Sequence, residues 1–212
     1  MTHHVNIMKG KEKTKMNQNR IARFSKVSFE QYLEDFVRLF PEIDVSSQDI
    51  LNKIREQYDN IKLPKRATAQ SAGYDFYSPI DFELYPKAYT VSVDCYGHCG
   101  TTTGPKFGWQ ITIPTGIRCQ MDENYVLACF IRSSLGFKYK LGLGNGTGII
   151  DADFYFAKNE GHIMINLVNH GDKKVNISAG DRIMQGIFLP YGITMDDETT
   201  EQRTGGIGST NK

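Results

Sequence analysis

From about residue 61 onward, the chain consists of short apolar segments separated by glycine, proline, asparagine and aspartate. Residues 89–93 and 109–113 alternate apolar and polar side chains, as expected for strands with one buried face. Residues 126–131 form a continuous apolar run, which is typical of a strand buried on both faces. Further candidate strands are residues 162–169, 175–177 and 183–189. Many short strands of this kind predict an all-β fold, an antiparallel sandwich or barrel.

Two α-helices are predicted before this β region. Residues 28–40 carry an apolar stripe at helical period, and Ser28 and Gln31 have the spacing of a capping box. A second apolar stripe covers residues 50–61. We therefore predict a helical hairpin over residues 20–60, which packs on the larger body or contributes to an oligomer contact. Recruitment of a protein partner is the alternative role for these helices.

The composition excludes several classes of protein. The chain has 212 residues, 40% of them hydrophobic, and a net charge of +1, so no global field favours nucleic acid or an anionic membrane. Its apolar runs are shorter than the roughly 18 residues of a membrane span, and its start lacks the apolar centre of a signal peptide. A cytoplasmic protein is expected. The polar residues 1–19 predict a disordered tail, with a nucleic-acid-binding arm as the weaker alternative.

Four cysteines are too few to form a disulfide scaffold in a chain of this length. Cys95 and Cys99 have the spacing of a metal clip, but a second pair of ligands at zinc spacing is missing. We therefore expect free thiols. The four cysteines are Cys95, Cys99, Cys119 and Cys129.

The residues that most directly indicate chemistry are the glycine-rich residues 143–154. Asn145 and Gly146 form a strong hairpin-turn signal, and the glycines allow a ligand to approach the backbone closely. Asp151 follows beside the turn, and the ring of Phe154 stands three positions later. Backbone groups, an amide, a carboxylate and an aromatic ring would suit a pocket that holds a planar polar base and activates a water.

Three other stretches have separate physical interpretations. Arg132, with two serines after it, offers a guanidinium and two hydroxyl groups that suit phosphate oxygens, although a surface Arg paired with a carboxylate is the alternative. Residues 203–210, RTGGIGST, suit a flexible arm that closes over a polyphosphate as a lid, the alternative being a disordered tail. Asp181 and Arg182 predict a turn with a structural ion pair, and Gln185 could donate a hydrogen bond to a ligand.

Five stretches in order resemble the motifs of the trimeric all-β dUTP diphosphatases (dUTPases). They are AGYD at residues 72–75, RSSLG at 132–136, the hairpin at 145–154, GDRIMQ at 180–185 and RTGGIGST at 203–210. The resemblance covers roughly residues 61–212. It implies a jelly-roll-like β domain over residues 61–198 and a flexible glycine-rich C-terminal arm over residues 199–212. It also implies a homotrimer with active sites shared between subunits.

The resemblance implies hydrolysis of dUTP to dUMP and pyrophosphate. Asp151 matches the acid that activates the water for attack on the α-phosphate. Mg²⁺ would be held by the substrate phosphates and by waters, with no direct protein ligand, which agrees with the reluctance of this ion to lose its waters.

The resemblance also assigns the remaining site residues. Asn145 matches the uracil-binding asparagine, and Phe154 takes the place of the ring that stacks under deoxyribose. Asp75 matches an acid that supports the site from behind its substrate-contacting residues. The other residues expected to bind substrate are Arg132, Ser133, Ser134, Gly148, Ile149, Ile150, Met164, Gln185, Arg203, Ile207 and Gly208.

The chain departs from the family pattern at several positions. Phe154 replaces the usual tyrosine, so stacking is expected to survive the loss of the hydroxyl. Ile207 replaces the aromatic residue that the arm lays over the uracil, which could weaken closure by about 1–3 kcal/mol. Ile131 replaces the usual proline and Ser134 a glycine. Residues 155–161 are longer than the usual turn and could reshape one edge of the pocket.

Two other functions compete with dUTP hydrolysis. A dCTP deaminase shares the fold and an RSSLG-like motif, but that family uses a glutamate where Asn166 stands, and an amide cannot shuttle the proton. The deaminases also lack an arm of the RTGGIGST type. The third possibility is a trimer that binds nucleotides without catalysis, or that recruits a protein partner through the N-terminal helices in addition to catalysis.

Overall fold

The structure is a computed structural model, and it describes residues 19–87, 108–201, 203 and 205. Several sequence-based predictions therefore lie outside the described residues. They concern the tail at residues 1–18, the strand at 89–93, the thiols Cys95 and Cys99, and the arm residues Ile207 and Gly208.

The described residues form twelve strands, three α-helices and one short 3₁₀ helix. The helices are α1 (Phe29–Leu39), α2 (Gln48–Asp59) and α3 (Ser133–Tyr139), and the 3₁₀ helix is Ala152–Phe156. The strands are β1 (Ala22–Lys26), β2 (Lys65–Arg66), β3 (Tyr74–Tyr77), β4 (Phe82–Leu84), β5 (Gln110–Pro114), β6 (Ile117–Met121), β7 (Tyr125–Ile131), β8 (Leu141–Leu143), β9 (Gly148–Ile150), β10 (Met164–Asn169), β11 (Val175–Ile177) and β12 (Arg182–Pro190). Among them no helix is long and apolar enough to cross a membrane.

The strands of the described part pair only in the antiparallel sense. A five-stranded sheet has the order β2-β3-β12-β7-β9, and a three-stranded sheet has the order β5-β10-β8. Two smaller sheets pair β1 with β6 and β4 with β11. This arrangement confirms the prediction of an all-β sandwich of the jelly-roll type with an N-terminal pair of helices.

Strands β8 and β9 belong to different sheets, and an opening lies between these sheets. Strand β8 pairs with β10, so it belongs to the three-stranded sheet, whereas β9 pairs with β7 at the edge of the five-stranded sheet. The glycine-rich turn between β8 and β9 therefore spans the gap between two sheets. This gap is where the candidate site lies.

The N-terminal helices share the hydrophobic core of the β domain. Tyr32, Phe36 and Ile54, all at most 3% exposed, belong to the same buried cluster as Ile113 and Leu127. Because these helical side chains are buried together with strand side chains, the helical pair is an integral part of the folded body.

Residues 20–60 also contain a strand that the sequence did not reveal. Strand β1 pairs with β6, so that Phe24 lies opposite Cys119. The ring of Phe24 lies 5.5 Å from the ring of Phe76. The segment ARFSK has only one large apolar residue, so its strand conformation depends on a partner distant in sequence. The N-terminal region is therefore a strand followed by two helices.

The N-terminus of α1 is capped differently from the prediction. The Ser28 hydroxyl accepts a hydrogen bond from the Gln31 amide at 3.1 Å, as a capping box requires. The Gln31 side chain, however, donates to Asp35 at 3.0 Å, and the Ser28 backbone N–H donates to Glu160 at 2.8 Å. The reciprocal half of the predicted box was wrong because a carboxylate 132 positions away takes its place.

Candidate active site

A cavity of about 520 Å³ opens beside the β8–β9 turn. Its wall contains predicted site residues from the glycine-rich stretch, from β10 and from the arm. The residues that line it are Thr112, Cys129, Leu143, Gly144, Asn145, Gly148, Ile149, Ile150, Phe154, Ile163, Met164, Ile165, Asn166, Met184 and Arg203. The structure thus gathers seven of the expected substrate-binding residues around one cavity: Asn145, Gly148, Ile149, Ile150, Phe154, Met164 and Arg203.

The turn between β8 and β9 is shaped by local backbone hydrogen bonds. The Gly146 amide donates to the Leu143 carbonyl, and the Thr147 amide donates to the Asn145 carbonyl, each at 2.9 Å. Gly146 has a φ of +74°, a region that glycine enters without steric cost. The turn leaves the exposed Asn145 at the cavity wall, where its amide can contact a ligand.

An amide and a hydroxyl from the three-stranded sheet also line the cavity. Asn166 on β10 donates through Nδ2 to the Thr112 hydroxyl on β5 at 2.9 Å. Its other amide atom, Oδ1, lies directly against Gly144, where a Cβ atom would overlap it. Sequence reasoning considered Asn166 only as an argument against deamination and missed Thr112, because a contact between β5 and β10 leaves no local signal.

Apolar side chains that precede and follow residues 155–162 in the sequence form the apolar part of the cavity wall. Phe154, in the 3₁₀ helix, is 4% exposed and therefore offers only part of its ring to the cavity. Ile163 and Met164 follow the segment and enter β10. Ile149 is 55% exposed in the described chain and forms the rim.

A pair of carboxylates and one guanidinium stand beside the cavity, whose wall includes Arg203 but neither Asp151 nor Asp153. Arg203 Nη2 lies 2.9 Å from Asp151 Oδ2, and Arg203 Nε lies 3.1 Å from Asp153 Oδ1. Both acids are about half exposed, at 50% and 54%, so water can reach them. The Arg203 guanidinium also lies 5.5 Å from the centre of the Phe154 ring. Asp153 was absent from the residues expected at the site.

The predicted phosphate-binding residues form a second group around Asp75. The Asp75 carboxylate, 6% exposed as a residue, pairs with Arg132 Nε at 3.1 Å and with Arg182 Nη1 at 3.2 Å. Gln185 lies opposite Asp75 on the neighbouring strand, and its side chain packs against Gly73. The exposed Ser133 and Ser134 begin α3. Among the described residues that line the cavity, none of the four expected phosphate contacts Arg132, Ser133, Ser134 and Gln185 is present.

Comparison with known proteins identifies the family. The dUTPase family model matches residues 101–211. The deoxyuridine 5′-triphosphate nucleotidohydrolase of Lactococcus lactis is 36% identical over 153 residues, which are 71% of this chain and 88% of that protein. The corresponding protein of Dictyoglomus turgidum is 34% identical over 156 residues, or 71% and 91% of the two chains. The chain belongs to the dUTPase family. The crystal structure of dUTPase from Streptococcus mutans is 34% identical, with a TM-score of 0.49, and covers 62% of this chain and 88% of that one.

In this dUTPase-family chain, the cysteine at the cavity wall is a neutral side chain. Burial raises the pKa of Cys129 to about 12 and, together with the nearby Cys129, also raises that of Cys119 to about 12. Both are free and buried cysteines, as expected for this pair. A thiol with such a pKa stays protonated near pH 7 and contributes an apolar surface to the cavity.

The polar groups beside the cavity suit a hydrated metal ion carried by a nucleotide. The described residues include no group of three or more His, Cys, Asp and Glu side chains able to hold a metal ion. Asp151 and Asp153 are nevertheless half exposed, so their oxygens can accept hydrogen bonds from metal-bound waters. This dUTPase-family site therefore fits Mg²⁺ that keeps several waters and binds mainly through phosphate oxygens.

Proposed function

We propose that this chain hydrolyses dUTP to dUMP and pyrophosphate at the cavity beside the β8–β9 turn. One observation carries the proposal: the predicted phosphate ligand, Arg203, lines the same cavity as Asn145 and Phe154, and its guanidinium pairs with the predicted base, Asp151. Membership of the dUTPase family and the relatives named as deoxyuridine 5′-triphosphate nucleotidohydrolases support the choice of substrate.

The cavity would hold the deoxyuridine part of the substrate. Asn145 and the backbone of the glycine-rich turn offer donors and acceptors to uracil, and a base with the wrong pattern would leave buried polar groups unpaired. Phe154 would pack under the deoxyribose and leave no room for a 2′-hydroxyl. Gly148, Ile149, Ile150 and Met164 would complete the wall around the nucleoside.

Asp151 would act as the general base. Its carboxylate is half exposed, so a water can be held between it and the α-phosphate. Deprotonation of this water by Asp151 gives the nucleophile, and pyrophosphate leaves from the α-phosphorus. Because Arg203 pairs with Asp151 in the described chain, a bound phosphate would have to replace the carboxylate as the partner of the guanidinium, which frees Asp151 for the water.

Mg²⁺ bound to the triphosphate would neutralise part of the charge that develops during the displacement. Asp151 and Asp153 would orient the waters of the ion, and Arg203 would add a positive charge from the protein. Of these residues, Arg203 would hold the triphosphate beside the cavity.

A homotrimer would account for the separation of the two groups of site residues. Arg132 and its neighbours lie outside the cavity wall in the described part of the chain, so a second copy could bring its Arg132, Ser133, Ser134 and Gln185 to the phosphates. In this arrangement Asp75 would hold Arg132 in place. The contacts of Ile207 and Gly208, the cytoplasmic location and a protein partner for the helices stay predictions from the sequence.

A substrate comparison tests the proposed function. Release of pyrophosphate is measured with dUTP, dCTP, dTTP and UTP in the presence of Mg²⁺, and ammonia release is measured with dCTP. We expect pyrophosphate from dUTP alone. Ammonia from dCTP would establish deamination instead, and no product from any of the four would favour a nucleotide-binding protein without catalysis.

A further inference from the structure

Residues 155–162, the connecting segment, join two walls of the cavity. Phe154 precedes the segment and Ile163 follows it, and both side chains line the cavity. Residues 155–161 are longer than the usual turn, and the sequence predicted that they could reshape one edge of the pocket. Its position means that a change in its conformation would move the cavity wall at both ends.

The connecting segment folds back on itself. Gly161 has a φ of +69°, and a Cβ atom there would lie only 2.7 Å from the Phe154 carbonyl oxygen. The end of the segment therefore packs directly on its beginning, an approach that only glycine permits. Glu160 has a φ of +55°, which is uncommon for a residue with a side chain and needs support from surrounding contacts.

The first support comes from the N-terminus of α1. The Glu160 carboxylate accepts hydrogen bonds from the Ser28 backbone N–H at 2.8 Å and from the Ser28 hydroxyl at 2.7 Å. Arg118 lies 3.7 Å from the same carboxylate and donates to the Tyr155 carbonyl at 2.7 Å. Partial burial raises the pKa of Glu160, but the hydrogen bonds from Ser28 and the charge of Arg118 outweigh this and lower it. The carboxylate is thus charged at neutral pH and ties the segment to α1.

The second support comes from the middle of α1. His162, with no exposed surface, lies 2.7 Å through Nδ1 from Asp35 Oδ2. The Gly116 backbone N–H donates to His162 Nε2 at 2.7 Å, so Nε2 is the acceptor and Nδ1 carries the proton that is donated to Asp35. The imidazole is therefore held in one orientation, between α1 and the turn that precedes β6.

We propose that α1 positions the nucleoside pocket through two positioning residues, Glu160 and His162. Because α1 holds the connecting segment at two points, it fixes where Phe154 and Ile163 present their side chains to the nucleoside. This role rests on the proposed function for the identity of the substrate. It assigns α1 a part in substrate binding, although α1 contributes no residue to the wall of the cavity.

A set of variants in the 212-residue chain tests this role. Ser28→Ala and Glu160→Gln, singly and together, weaken the first support without touching the cavity. Ser47→Ala is the matched control, since Ser47 caps α2 and makes no side-chain cap bond. Val175→Ala, on β11, controls for a general loss of stability, because β11 pairs with β4 and carries none of these residues. Two quantities are measured well below the melting temperature: KM and kcat for dUTP, and amide hydrogen exchange of residues 154–164.

We expect the double variant to raise KM for dUTP by about tenfold while kcat changes much less, because nucleoside binding is weakened and Asp151 is untouched. Faster amide exchange at residues 154–164 should accompany this change, and neither control should show it. Unchanged KM, or an equal rise in the Val175→Ala control, would overturn the proposal. If the wild-type chain hydrolyses no dUTP, the proposed function fails, and the exchange rates alone then decide whether α1 orders the cavity wall.

Discussion

The guanidinium of Arg203 lies 2.9 Å from the carboxylate of Asp151. In this arrangement the start of the C-terminal arm contacts the acid that we assign to water activation. A triphosphate offers the guanidinium a partner of higher charge, so substrate binding should separate the two residues. The pair thus links binding of the phosphates to the availability of the base, and both members can be tested separately.

Asp151→Asn should keep nucleotide affinity and lose turnover. An amide cannot take a proton from water, so we expect kcat to fall by roughly 10²–10⁴-fold while KM changes little. Asp172→Asn is the matched control, because it removes the same charge from an exposed loop away from the cavity and should leave both parameters unchanged. Steady-state kinetics with dUTP provides the measurement. Similar losses in both variants would remove Asp151 from its assigned role.

Removal of the arm from Arg203 onward should abolish most catalysis without changing the oligomeric state. Arg203→Ala isolates the guanidinium, and we expect a loss of roughly 10²–10³-fold in kcat because charge stabilisation of the phosphates is lost. Arg203→Lys should recover only part of the activity, since an ammonium cannot replace the planar fork. Kinetics and the molar mass in solution are measured together. Full activity after truncation would refute a role of the arm as a lid.

Phe154→Ala should reduce the preference for a deoxyribose. The ring is 4% exposed and lies at the cavity wall, so its removal opens space where a 2′-hydroxyl could fit. We expect the ratio of kcat/KM for dUTP over UTP to fall by about tenfold, equivalent to 1.4 kcal/mol. Phe154→Tyr keeps the ring and should retain the preference. An unchanged ratio in the alanine variant would show that another group discriminates deoxyribose from ribose.

Gly144→Ala should disturb the cavity, whereas Gly146→Asn should be tolerated. A Cβ at Gly144 would overlap the Asn166 amide, which could move only by losing its hydrogen bond to Thr112. We expect a loss of about 1–3 kcal/mol in the free energy of unfolding. At Gly146 a Cβ meets open space, and asparagine adopts positive φ more readily than most residues. The free energies of unfolding of both variants are measured with a denaturant and compared. Adding Asn166→Ser to Gly144→Ala should restore part of the stability.

Asp35→Asn should lower the free energy of unfolding near neutral pH and should have a smaller effect in acid. Burial raises the pKa of Asp35, but hydrogen bonds from His162 and from the neighbouring Arg38 and Gln31 lower it below its usual value. The folded carboxylate therefore stabilises the protein above the unfolded pKa of about 3.9, and this contribution is lost as the pH falls through the folded pKa. We expect a difference of about 1.5–3 kcal/mol in the free energy of unfolding at pH 7.

Unfolding at several pH values between 7 and about 3 measures this effect. The difference between wild type and Asp35→Asn should shrink towards the acid end. Asp172→Asn, which removes the same charge from an exposed loop, should behave like wild type throughout. A difference that is constant with pH would mean that the Asp35 carboxylate is not the group that titrates.

The sequence predicted the elements whose signal is local. The Asn145–Gly146 turn and the apolar stripe of α1 were found where the residues indicated them. Contacts between distant positions left no such signal. Strand β1 depends on β6, and Asn166 meets Thr112 across a sheet. Asp153 was missed because an acid two positions after another acid on a turn is usually a solvated surface residue. Only the folded structure shows that Arg203 lies beside it.

The buried imidazole of His162 limits how the polypeptide can be shortened. The stretches that carry the family resemblance begin at Ala72, which invites expression of a minimal fragment without the first two helices. Such a fragment would retain His162 but lose its acceptor, and it would expose to solvent the strand surface that Tyr32 and Phe36 cover. A bare apolar face favours aggregation over folding. We therefore expect a fragment that begins at β1 to fold more stably than one that begins at Ala72.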